Sequence, residues 1–91
     1  MFAITRFRDV DAALLAGIEE VAAHWREKPG NVFVEVLRNV DEPDLVALLS
    51  RWEGARAYRQ SFSGYDTKML LTPVMLRAID EPSAYLPPGE F

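Results

Sequence analysis

Leu45-Val46-Ala47-Leu48-Leu49-Ser50-Arg51-Trp52-Glu53-Gly54-Ala55-Arg56-Ala57-Tyr58 is the stretch that decides the fold. Leu45 to Leu49 is apolar at every position and is bracketed by Asp44 and Ser50. A strand that is apolar at consecutive positions buries both of its faces, whereas a half-exposed one alternates. A chain of 91 residues has enough helix to cover one face of a sheet. The other face is therefore expected to meet a second copy of the chain. Gly54 breaks the strand, and Ala55 to about Ser63 reads as a helix with Tyr58 and Phe62 one turn apart.

Upstream, Asn31 to Arg38 has nearly unbroken β propensity. Val32, Val34 and Val36 are expected on one face, and Phe33, Glu35 and Leu37 on the other. The polar turn Asn39-Val40-Asp41-Glu42-Pro43-Asp44 joins this strand to a third, Leu45 to Trp52, a connection suited to antiparallel neighbours. Pro29-Gly30 closes a helix that starts at a cap on Asp9 or Asp11 and runs to about Lys28. Leu14, Ile18, Val21 and Trp25 form its apolar face. Phe2 to Phe7 reads as the first strand.

Downstream, Ser63-Gly64 marks a stop, Asp66 to Leu71 is helical again, and Thr72-Pro73 opens a new turn. Glu81 to Leu86 is a short extended piece placed as an edge strand, where proline is tolerated. Pro87-Pro88-Gly89 is expected to end the ordered chain. The order describes one domain over residues 1–91: an α+β sandwich with helices on one face of an antiparallel sheet.

Composition narrows the function. There is no cysteine and one histidine, His24, so disulfides, thiolate sites and histidine-rich metal sites within a subunit are excluded. The net charge is −4, and Arg56 and Arg59 are an isolated pair, so the positive stripe that nucleic acid requires is missing. No apolar run approaches the ~20 residues of a membrane span. Met1 leads into a strand rather than a basic and then greasy leader, which gives a cytoplasmic protein as the expectation. No glycine-rich phosphate cradle or ligand cluster calls for a cofactor or a metal.

The strand, the helix closed by Pro29-Gly30, the hairpin of Val32 to Leu37 with Leu45 to Leu49, and the Trp52-Glu53-x-x-x-x-Tyr58 turn resemble the antibiotic biosynthesis monooxygenase family. The resemblance covers roughly residues 1–86. It implies a dimeric α+β barrel, in which two ferredoxin-like subunits press their sheets together to form a homodimer. Family members include cofactor-independent oxygenases of phenolic, polyketide-like substrates, quinol oxygenases and haem-degrading enzymes. The haem-degrading branch carries an asparagine in the first strand, a tryptophan in the second helix and a later histidine. Here the first strand has no asparagine, Ser61 falls near the tryptophan position, and no histidine follows His24. Haem degradation is not expected.

The resemblance further implies a pocket between sheet and helices, and each candidate residue has two readings. His24 is either a general base or a hydrogen-bonded boundary residue. Trp52 either stacks on a flat substrate or anchors the strand to the helices. Tyr58 and Tyr65 offer hydroxyls to a phenolic or quinone oxygen, and Phe62 offers a ring; all three also serve as ordinary packing. Glu53 is either a first-turn carboxylate favoured by the helix dipole or an acid catalyst. Arg6, Glu35 and Arg51 are charges inside apolar strands. They either pair across the sheet and set dimer register, or one arginine enters the pocket to stabilise a developing anion.

The expectation is thus a cofactor-independent monooxygenase with catalytic candidates His24, Arg51, Tyr58 and Tyr65 and substrate contacts at Trp52 and Phe62. It would orient and deprotonate an electron-rich phenol or quinol and shield it from water. The alternative is a non-catalytic small-ligand-binding or structural dimer on the same scaffold.

Overall fold

A computed structural model describes residues 1–91. The elements follow the order β1 (Phe2–Phe7), α1 (Ala12–Arg26), β2 (Asn31–Arg38), β3 (Val46–Trp52), α2 (Ala55–Gln60), α3 (Tyr65–Met75) and β4 (Ala84–Tyr85), with a final 3₁₀ turn at Pro88–Glu90. The four strands lie in the order β2-β3-β1-β4, with every neighbouring pair antiparallel. This is a ferredoxin-like α+β sheet with its helices packed on one face.

The alternation along the strands separates the two faces. Ala3, Thr5 and Phe7 of β1, Val34 of β2, and Val46, Leu48, Ser50 and Trp52 of β3 are all buried toward the helices. Leu14, Ile18, Val21 and Trp25 of α1 cover them, on the apolar face the sequence predicts. Asp11, not Asp9, provides the cap: the Leu14 N–H donates to its carboxylate at 2.8 Å. The opposite face carries Phe2, Ile4, Arg6, Phe33, Glu35, Leu37, Ala47, Leu49 and Arg51. In its central row Ile4 lies across from Leu49, and Leu49 across from Glu35.

Several boundaries differ from the sequence reading. The first helix ends at Arg26 rather than Lys28, the third strand begins at Val46, and α2 stops at Gln60 rather than Ser63. Asp66 to Leu71 and the turn at Pro73 are not separate pieces. One helix, Tyr65–Met75, runs through the proline. Pro73 is exposed and sits in the last turn, where water can serve the carbonyl that loses its N–H partner. Val32 does not share a face with Val34. The register slips between Asn31, opposite Trp52, and Phe33, opposite Arg51, and the bulged Val32 is 52% exposed.

Candidate functional site

The site grows out of an aromatic cluster where β3 turns into α2. Trp52 ends β3 pointing inward, and its indole N–H donates to the Ser50 hydroxyl at 2.9 Å. Trp25 of α1 meets it edge to face, with ring centres 5.6 Å apart. Tyr58 and Phe62 close on the same indole at 5.9 and 5.7 Å and stand 5.2 Å from each other. Crossed rings at these distances are favourable because the positive edge of one meets the negative face of another. Both indoles are buried, yet the Trp25 N–H finds no hydrogen-bond acceptor.

Tyr58 and Phe62 are only half-buried because their far sides face a cavity of about 220 Å³. Ile4 and Thr5 of β1, Met75 at the end of α3, and Ala78, Ile79, Glu81 and Ser83 of the following segment complete its lining. The walls are mainly apolar, with polar groups at Thr5, Tyr58, Glu81 and Ser83, which is the usual make-up of a small-molecule pocket. Burial raises the Tyr58 hydroxyl above its ordinary pKa, with a smaller opposing pull from Ser83, so it stays a neutral donor. Glu81 is the one carboxylate in the lining. Arg6 Nε donates to its Oε2 and Nη2 to its Oε1, both at 2.7 Å. That hydrogen bonding and the arginine's charge hold the carboxyl below its ordinary range, against a smaller upward push from desolvation.

Of the six candidates read from the sequence, the cavity brings together Tyr58 and Phe62. His24 lies elsewhere: its Nε2 is 2.9 Å from the hydroxyl of Thr67, which also accepts from Lys28 Nζ at 3.1 Å. That contact ties α1 to α3. Arg51 is exposed on the opposite sheet face, its guanidinium 5.4 Å from the centre of the Phe2 ring. Tyr65 is 77% exposed, and Trp52 stands behind Tyr58 rather than in the lining. A second hollow of about 330 Å³, lined by Lys28, Gln60, Ser61 and Ser63 among others, lies where the end of α1 meets the α2–α3 turn.

Glu81, Ser83 and Ile79 escaped the sequence reading. The signal for Glu81 was present in part, since Arg6 stands out as a charge in an apolar strand and calls for a partner. Its partner lies 75 residues away, a distance that no local pattern spans.

A family model described as antibiotic biosynthesis monooxygenase matches residues 1–66. No curated protein matches the chain in sequence. Among solved structures it is similar to SnoaB, a cofactor-independent oxygenase from Streptomyces nogalater. That match has a TM-score of 0.73 and 19% identity, covering 86% of this chain and 82% of that one. Rv0793 from Mycobacterium tuberculosis aligns with a TM-score of 0.72 and 17% identity over 91% of this chain and 86% of that one. A conserved protein from Methanosarcina mazei Go1 follows with a TM-score of 0.64 and 11% identity, covering 91% and 84%. At such identities the likeness is one of fold, whereas the family model spans well over half of the sequence. The chain belongs to the antibiotic biosynthesis monooxygenase family.

Proposed function

We propose that the protein is a cofactor-independent monooxygenase of a small phenol or quinol, bound in the cavity against Tyr58 and Phe62. The supporting observation is the cavity itself: apolar walls, one ring face and one neutral phenol donor, where Tyr58 and Phe62 meet β1 and the segment after α3. An engineered cavity of about 150 Å³ accommodates benzene, so about 220 Å³ suits one ring or two fused rings. Phe62 stacks on the ring. Tyr58 donates to the ring oxygen and stabilises the phenolate formed when the substrate hydroxyl loses its proton. A ring carbon of the electron-rich phenolate passes electrons to dioxygen and bonds one oxygen atom. That atom becomes a carbonyl of the quinone product, the other leaves as water with the hydroxyl hydrogen and the hydrogen of that ring carbon, and no external reductant is needed. SnoaB, described as a cofactor-independent oxygenase, lends this reading its precedent on the same fold.

The protein acts as a homodimer in this reading. The open sheet face is apolar at Phe2, Ile4, Phe33, Leu37 and Leu49. It also carries Glu35 and Arg51, neither of which has an ion-pair partner within its own chain. A face with one unpaired charge of each sign is complementary to itself under a two-fold axis.

Oxygen uptake with a panel of one- and two-ring phenols and quinols tests the activity. Native protein should consume oxygen with at least one of them. Tyr58→Phe should slow turnover about 10- to 1,000-fold, as expected for loss of one oxyanion donor, with little change in melting temperature. A second reading, a non-catalytic binder, draws support from the sparse polar lining, which lacks an imidazole. Ring compounds that bind without any oxygen uptake would select it.

A further inference from the structure

Between α3 and β4 the chain passes alongside β1. Ala78, Ile79, Glu81 and Ser83 line the cavity, while Asp80, Pro82 and Ala84 are exposed. Backbone bonds tie this strap at both ends: the Ile79 N–H donates to the Arg6 carbonyl at 2.8 Å, and the Ile4 N–H donates to the Ser83 carbonyl at 2.7 Å. Between those ties the contact that fixes a side chain is the Arg6–Glu81 pair. The planar guanidinium grips both carboxylate oxygens at once, which orients the group as a single contact would not. Each oxygen accepts one hydrogen bond from Arg6 and keeps acceptor capacity for another. The carboxylate is partly exposed, and Glu81 lines the cavity together with Ile4.

We infer that Glu81 determines which ligands the cavity admits: it accepts a hydrogen bond from a hydroxyl or N–H on a small aromatic ring and turns away rings that carry a carboxylate. Arg6 is its positioning residue. The inference rests on the small-aromatic reading above and adds the substituent that the ligand must carry. A ring hydroxyl carries the donor that Glu81 can accept, and Tyr58 offers a donor to a ring oxygen from the same lining. A ligand carboxylate has no donor to offer the free acceptor sites of Glu81 and would set a second negative charge beside a carboxylate that Arg6 already neutralises.

Indole fluorescence reports binding, because a ring seated on Tyr58 and Phe62 lies next to Trp25. The probes are 2-naphthol, naphthalene and 2-naphthoate, titrated into native protein at neutral pH. A hydrogen bond to a charged group is stronger than one to a neutral group, so naphthol should bind roughly tenfold or more tighter than naphthalene. Naphthoate should bind weakest of the three. In Glu81→Gln the amide no longer repels an anion, and the affinity of naphthoate relative to naphthol should rise about tenfold or more. A pair that merely pins the strap would change all three affinities together. Equal binding of the three probes by native protein, or an unchanged ratio in the variant, overturns the inference while leaving the aromatic pocket standing. No binding of any probe removes both. Should the variant melt below the working temperature, the ranking on native protein decides alone.

Discussion

Two buried tryptophans in ring contact differ at one atom. The Trp52 N–H has an acceptor in Ser50, and the Trp25 N–H has none. Trp52→Phe removes the donor and leaves a fully buried serine hydroxyl without its partner, in addition to the lost volume. An orphaned buried group costs about 1–3 kcal/mol. Trp25→Phe loses volume alone. Urea denaturation should therefore find Trp52→Phe less stable than Trp25→Phe by about 1–3 kcal/mol, and equal midpoints would show that the Ser50 bond contributes nothing. Glu81 calls for a pH comparison. Its carboxyl is held below the ordinary value of 4.5 by the Arg6 hydrogen bonds and charge. A depressed carboxyl stabilises the folded state above the unfolded-state pKa, and that stabilisation is lost as pH falls through the folded one. Arg6, raised chiefly by the Glu81 hydrogen bond, stays charged throughout this range. The stability gap between native protein and Glu81→Gln should therefore narrow on acidification below about pH 4.5. A gap that stays constant down to about pH 2 would mean that the pair is not formed in solution.

Elements meet where small residues let them. Gly30, in the turn between α1 and β2, has φ +83, and a Cβ there would lie 2.5 Å from the Cβ of Ala57 on α2. The left-handed conformation costs a non-glycine residue about 1–2 kcal/mol, and overpacking adds about 1–3 more. Gly30→Ala should thus destabilise by about 2–5 kcal/mol. Gly54→Ala should cost under about 0.5 kcal/mol, because its backbone is extended and nothing lies within 4 Å. Thermal melts of the two variants check the contrast. Pro29-Gly30 was legible in the sequence as a helix stop, but its second role as the seat of α2 was not, since Ala57 is distant in sequence. The same limit runs through the chain. Short-range patterns reveal the helix face of Leu14, Ile18, Val21 and Trp25 and the span of β2. The bulge at Val32 depends on how β2 registers against β3, and the continuity of α3 through Pro73 depends on which side of the helix meets water. Part of the candidate site was visible for the same reason. Tyr58 and Phe62 follow from one helical turn after a recognisable strand end, whereas Glu81 enters the site only through the return of the C-terminal strap to β1.

At the scale of the whole molecule, the sheet has one face under helices and one without cover. Leu49 stands at the middle of the open face, between Ile4 and Glu35. The unbroken run Leu45 to Leu49 supports the proposed dimer, since a wet strand face has no need to be apolar. The proposed two-fold pairing sets Glu35 of each subunit against Arg51 of the other, which satisfies charges that would otherwise be desolvated alone. Light scattering at micromolar concentration should give twice the 10.3 kDa chain mass. Leu49→Arg should give monomers with an unchanged circular dichroism spectrum, because its side chain does not point into the helix-covered core. Glu35→Arg alone would face two cations across the axis, and breaking a buried pair costs about 3–5 kcal/mol, a loss of roughly a hundredfold or more in association. The combined variant Glu35→Arg with Arg51→Glu restores opposite charges and should recover dimers. A monomeric native protein would remove the sheet-to-sheet dimer. Dimers that ignore all three charge states would place the interface on a different face and leave the apolar run of β3 without an explanation.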